Sequence, residues 1–119
     1  MSVNTRRISE AFSGHRFPET YDHLAADVRW VLLDHGAIEG KDAVVEACDS
    51  SAAEMEELAK VEFSRFDSVA GDRLAVVDTE ARYESPDGSA SVVSSADIYE
   101  FNGEGLVTTI TSYAVELDA

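Results

Sequence analysis

The stretch that decides the fold is Ser94-Ser95-Ala96-Asp97-Ile98-Tyr99-Glu100-Phe101-Asn102-Gly103-Glu104-Gly105-Leu106-Val107, continued by Thr108-Thr109-Ile110-Thr111-Ser112-Tyr113-Ala114-Val115. Two β-rich runs flank Asn102-Gly103. Asn-Gly between such runs is the strongest short-range hairpin signal, because both residues tolerate positive φ. The sequence therefore predicts two long strands joined by a tight turn. Alternation puts Ser95, Asp97, Tyr99 and Phe101 on one face and Ala96, Ile98 and Glu100 on the other. Asp97 shares its face with two aromatics. A carboxylate so placed either sits in water at a sheet margin or in a pocket where its ionisation is costly.

Upstream, Ile8, Ala11 and Phe12 fall at i, i+3 and i+4, which predicts a first helix over 5–13. Gly14 is its expected stop. Pro18 suits the first turn of a second helix over 18–26, with Tyr21, Leu24 and Ala25 on one side. A strand is expected over 28–33, ended by Asp34-His35-Gly36. Asp42 opens a helix whose buried side is Ala43, Val44 and Ala47. Asp49-Ser50-Ser51 is expected to break it before a more polar segment over 52–60. The strand at 61–69 alternates imperfectly, which predicts a bulge or a strong twist. A strand over 73–84 puts Val77, Thr79, Ala81 and Tyr83 on one face. Pro86-Asp87-Gly88 is a turn signal. Helices followed by a run of strands argue for an α+β fold.

Composition narrows the function. The chain has 119 residues, short enough for one domain over 1–119. Asp and Glu number 24 against 9 Lys and Arg, a net charge of −15, and Lys41 and Lys60 are its lysines. A field of that sign repels nucleic-acid phosphates and anionic membranes. Neither nucleic acid nor membrane is an expected partner. The balance fits a plain acidic domain or adaptation to high salt, where screening relieves the repulsion. No apolar run approaches a membrane span, and residues 1–7 lack an apolar leader, so a cytoplasmic protein is expected. Cys48 is the single cysteine, which excludes an internal disulfide and a cysteine-based zinc site. Asp22, His23 and Asp27 are not spaced as a metal set. No phosphate loop, Ser-His-Asp order or nucleotide fingerprint is present. No cofactor is expected.

The run Asp97 to Val107, with the strand ending Ser112-Tyr113-Ala114-Val115, resembles the C-terminal hairpin of the nuclear transport factor 2-like superfamily. That group includes the SnoaL-like polyketide cyclases and the ketosteroid isomerases. Leu24-Ala25-Ala26-Asp27-Val28-Arg29-Trp30 and Ile38-Glu39-Gly40-Lys41-Asp42-Ala43-Val44 extend the resemblance over nearly the whole chain in element order. It implies a cone-shaped fold, a strongly curved antiparallel or mixed sheet wrapped around N-terminal helices. The mouth of the cone is a ligand pocket. The outer face of the sheet, which Ile98, Ile110 and Tyr113 cannot all avoid, implies a homodimer.

The resemblance also assigns roles. In ketosteroid isomerases the position matching Asp97 carries a carboxylic acid that donates a hydrogen bond to the dienolate oxygen. In SnoaL-like cyclases a carboxylate of the same cavity is the acid/base. A dry Asp97 would keep its proton and could donate. The other isomerase positions hold Leu32 where the general base falls and Ile8 where the tyrosine falls. Neither moves a proton. His35, oriented by Asp34, is the candidate replacement base if the strand end curls inward. Trp30 either fills the core or makes a flat wall for a planar ligand. Tyr83 and Tyr99 offer phenols to a carbonyl. With Val93, Ser95 and Ser112 they make up the expected ligand-facing set. The expected function is a small pocket protein for an apolar or carbonyl-containing molecule. Acid/base isomerisation or cyclisation is the chemistry such a site could perform. The alternative is a non-catalytic ligand-binding or dimerisation module.

Overall fold

The computed structural model describes residues 2–33 and 35–117. Helix α1 (Ser2–Ser13) leads through a 3-10 helix (Phe17–His23) into strand β1 (Leu24–Leu32) and a short β2 (Gly36–Glu39). Helix α2 (Lys41–Glu56) follows, then β3 (Lys60–Ala70), β4 (Leu74–Glu84), β5 (Ala90–Phe101) and β6 (Val107–Leu117). The strands form one six-stranded sheet in the order β2-β1-β6-β5-β4-β3. Among the described residues only the β1–β6 pairing is parallel, so the sheet is mixed. It curves without closing, and the helices pack into its concave side. This is the α+β architecture the sequence predicted.

The apolar stripe of α1 drives that packing. Ile8, Ala11 and Phe12 are buried, and with Val28, Val44, Val77, Tyr99, Phe101 and Ile110 they occupy the core. The shared faces read from the sequence hold on β4 and β5, and they are the inner ones. Val77, Ala81, Tyr99 and Phe101 are buried, while Asp78, Arg82 and Glu100 are exposed. Polar bonds fix the helix ends. Thr5 donates to the Gly71 carbonyl at 2.6 Å, and Arg6 donates to Ser68 at 2.9 Å. The expected irregularity in β3 is a register shift between Phe63 and Arg65. It brings Arg65 to the outer face beside Asp78 and Glu80.

Four local expectations are corrected. The segment at 18–26 is a tight 3-10 turn, and Leu24 to Ala26 already belong to β1. A short 3-10 run with Pro near its start needs few helical residues. Leu24 and Ala25 are both buried, as in a strand covered on two sides. Second, residues 36–39, for which no element was expected, form β2, four mostly exposed residues paired antiparallel with β1 and too short to show a period. Third, α2 runs unbroken through Asp49-Ser50-Ser51. Tyr21 donates to Asp49 at 2.6 Å there, so tertiary contact outweighs local propensity.

The fourth concerns the β5–β6 turn. Asn102 to Leu106 form a five-residue loop, not a two-residue one. The Asn102 side chain accepts from the backbone N–H groups of Glu104 and Leu106. The left-handed residue is Gly105, with φ +82°. Asn102 thus acts as an Asx turn rather than as the first half of a primed turn.

Candidate functional site

The site begins at the end of α1. The N–H of Arg16 bonds the Ala11 carbonyl at 2.8 Å and that of His15 bonds the Phe12 carbonyl at 3.1 Å. These are the paired bonds of a Schellman ending. They make His15, not Gly14, the left-handed residue, with φ +66°. Gly14 is needed for a different reason: a Cβ there would sit 2.9 Å from the Glu10 carbonyl oxygen. A non-glycine left-handed residue is strained, and such strain gathers at functional sites. Here it turns the His15 ring inward, against Phe17, Phe63 and Tyr83 with centroids 5.7, 5.8 and 6.1 Å away.

A cavity of about 250 Å³ opens beside this helix end. Phe12, Phe17, Trp30 and Leu32 form an apolar wall, and Ser51 and Met55 of α2 close another side. The sheet contributes Thr79 and Tyr83 from β4, Ser95 and Asp97 from β5, and Ser112 and Ala114 from β6. Phe12 is the hinge of the aromatic cluster. It meets Phe17, Trp30 and Tyr99 edge-on, at 5.0, 5.1 and 5.9 Å.

Asp97 lies at the centre of a hydrogen-bond network. Ser13 donates to Asp97 Oδ2 at 2.7 Å, and its oxygen lies 2.5 Å from the Tyr99 hydroxyl. With its one proton directed at the carboxylate, Ser13 accepts from Tyr99. On the other side, Trp30 Nε1 donates to Ser112 Oγ at 2.9 Å. An indole N–H can only donate, so the Ser112 proton is free for Asp97, its directly opposite neighbour. Burial raises the pKa of the Asp97 carboxyl, and the bonds from Ser112, Ser13 and Tyr99 oppose that rise. Burial, with the Asp97 charge behind it, raises the Tyr83 and Tyr99 phenols. Both stay protonated at neutral pH.

His15 completes the polar set. Its Nε2 is 3.1 Å from the Tyr83 hydroxyl, and its buried Nδ1 has no hydrogen-bond partner among the described residues. Burial lowers its pKa, so the imidazole is neutral at pH 7. The cavity therefore joins a carboxyl able to take or return a proton with a phenol held by a neutral imidazole. Among the described residues no group of His, Cys, Asp and Glu is placed to hold a metal.

Of the residues singled out from the sequence, Asp97, Trp30, Tyr83, Ser95 and Ser112 line this cavity. Tyr99 is fully buried behind it and reaches it through Ser13. Val93 pairs with Ala81 on the same strand face but does not line it. His35 is exposed in the β1–β2 turn, away from the cavity. Asp34 lies outside the described residues. Leu32 does face the cavity, at the position that resembled the isomerase base. Sequence reasoning singled out neither Ser13 nor His15. The available signal was a glycine one residue before a histidine at a helix end. Ser13 had none, since its partners are 84 and 86 positions away.

The SnoaL-like domain profile matches residues 5–110. An NTF2-like protein of unknown function from Cytophaga hutchinsonii is 25% identical, with a TM-score of 0.83 over 97% of this chain and 99% of that one. One from Burkholderia pseudomallei, also of unknown function, is 23% identical, with a TM-score of 0.69 over 95% and 91%. The Mycobacterium tuberculosis protein RV0760c, in complex with estradiol-17beta-hemisuccinate, is 19% identical, with a TM-score of 0.67 over 95% and 94%. No curated protein sequence matches.

Proposed function

The chain belongs to the SnoaL-like domain family, and from that premise we propose that it binds a small, largely apolar molecule and exchanges a proton with it through Asp97. The carrying observation is one carboxyl in an aromatic cavity, fed by Ser13 and Ser112 and raised in basicity by burial. A steroid-bound relative of the same fold supports the choice of ligand size and character. The apolar body would rest against Phe12, Phe17 and Trp30. Asp97, as carboxylate, takes a proton from the bound molecule and returns it to a different atom. That cycle is the core of an isomerisation or a cyclisation. Tyr83 stands as the hydrogen-bond donor for an oxygen on which charge develops, with His15 orienting the phenol. His35 has no part in this reading.

The test uses 2-tetralone in D2O. Trp30 is the single tryptophan and lines the cavity, so its fluorescence reports binding. The protein should quench on titration and should speed exchange of the α-protons seen by NMR. Asp97→Asn should still bind and should lose about 10²–10⁴ of the exchange rate. Binding without exchange in the parent protein would leave a carrier, not a catalyst. No quenching would remove the pocket reading.

A second reading concerns the outer sheet face. Val69 is 74% and Val115 62% exposed, and Leu74, Tyr113 and Leu117 accompany them. All lie on the side away from the helices. Their exposure supports pairing with a second copy of the chain through this face. Sedimentation at micromolar concentration should show a dimer, in high salt as in low. Tyr113→Glu should dissociate it.

A further inference from the structure

We infer that the polar group this pocket prefers at Asp97 is a positively charged nitrogen, so that its ligands are small organic amines or quaternary ammonium compounds with an apolar body. The inference rests on the pocket reading above, but not on proton transfer.

Three observations carry it. First, the hydrogen bonds around Asp97 are directed to hold a carboxylate. The donor-only Trp30 N–H fixes the sense of the Ser112 hydroxyl, and Ser13 donates from the other side. The neighbouring groups stabilise negative charge, yet all are neutral. Second, among the described residues no lysine or arginine lines the cavity. Arg65 and Arg82 of the adjoining strands lie on the outer face, each engaged by acids, at Asp78 and Glu80 and at Glu84. A partly buried carboxylate without a counter-ion is a site that a cationic ligand completes. Third, four aromatic rings stand in the remaining wall, beside Leu32 and Met55. Phe12, Phe17, Trp30 and Tyr83 surround the same space, and aromatic rings attract cations while disfavouring anions. Among the described residues the two other titratable groups lining the cavity, His15 and Tyr83, are neutral at pH 7 and do not compete for Asp97. The net charge of −15 adds a long-range field of the same preference.

Three ligands with one carbon skeleton separate the outcomes: 2-aminotetralin, protonated at pH 7.5, 2-tetralol and 2-tetralone. Binding is read from Trp30 fluorescence in 1 M KCl, where the Debye length is about 3 Å and the general field is screened. The amine should bind at least tenfold tighter than the alcohol. Asp97→Asn should bring the two within about twofold, with circular dichroism checking that the variant is folded. N,N,N-trimethyl-2-aminotetralinium should keep the advantage in the parent protein, since attraction between charge and ring needs no N–H. That comparison stands even if the variant does not fold. An alcohol or ketone that binds as tightly as the amine in the parent protein overturns the inference and leaves the pocket reading intact. Absence of quenching by all three overturns both.

Discussion

His15 Nε2 meets the Tyr83 hydroxyl at 3.1 Å, although the His15 backbone sits at φ +66°. A side chain at that φ costs about 1–2 kcal/mol relative to glycine. The contacts of the ring with Phe17, Phe63 and Tyr83 offset the cost. His15→Gly should relieve the strain and lose the packing, leaving stability at pH 7.5 within about 1 kcal/mol of the parent. The pH dependence should change more. Burial lowers the His15 pKa, so below about 6.5 the unfolded chain takes a proton that the folded chain resists. This group's contribution is present above 6.5 and is lost as pH falls. Urea midpoints at pH 7.5 and 5 should therefore differ less for the glycine variant. An unchanged acid loss would show that His15 is not its source.

Ser112 joins the Trp30 indole to the Asp97 carboxyl. Ser112→Ala removes the acceptor of one and a donor to the other. The loss should be about 1 kcal/mol of stability, the usual worth of such a bond. The Asp97 carboxyl should also move further up, because one of the bonds opposing its rise is gone. Chemical denaturation gives the first effect and the carboxyl carbon NMR shift against pH gives the second. A carboxyl that moves down would mean that Ser112 does not donate to it.

Much of this was legible in the sequence, for reasons that differ by element. Strand parity is local, so Asp97, Tyr99 and Phe101 could be placed on one shared face from alternation alone. The resemblance supplied what alternation could not, the curvature that turns that face into a cavity wall. Leu24 to Ala26 were misread because an apolar pair following a segment that Pro18 opens suits a helix as well as a strand. Asn102-Gly103 was misread because Asn102 spends its side chain on Glu104 and Leu106, which lengthens the loop. The polar half of the site was least visible. Ser13 and His15 gain their roles only when the end of α1 meets β4 and β5, across about seventy to ninety residues. The exposure of His35 likewise follows from β2, a strand too short to leave a pattern.

Salt should raise the stability of this chain. Its net charge is −15, and on the outer face Asp67 stands directly opposite Asp78 across β3 and β4. Like charges in that position destabilise a sheet. Arg65 reaches Asp78 at 3.2 Å, so Asp67 is the less compensated of the two. The Tm should climb between 0.05 and 1 M KCl, as the Debye length shrinks to about 3 Å. Asp67→Asn should raise the Tm at low salt, with the gain shrinking in 1 M KCl. A gain that is independent of salt would point to packing instead of charge.

Asp97→Asn gives the sharpest test of the site through stability alone. Burial is the largest influence on the carboxyl and raises its pKa, against the hydrogen bonds of Ser112, Ser13 and Tyr99. The folded state therefore holds this proton more tightly than the unfolded chain does. The group's contribution to stability is fully present below its unfolded value of about 3.9 and is lost as pH rises through the raised folded value. An amide does not titrate, and its oxygen still accepts from Ser13. The variant should match the parent most closely, or fall below it, in acid. It should gain on the parent as pH rises toward neutral, and the gap should level off once the folded carboxyl is ionised. Urea midpoints of both proteins at half-unit steps from pH 4 to 8 trace that gap. His15 titrates alike in the two and cancels in the difference. A gap that closes as pH rises would mean that hydrogen bonding outweighs burial at Asp97 and depresses its pKa. The carboxyl would then be a weaker base than an ordinary carboxylate, and proton exchange through it would lose its physical basis.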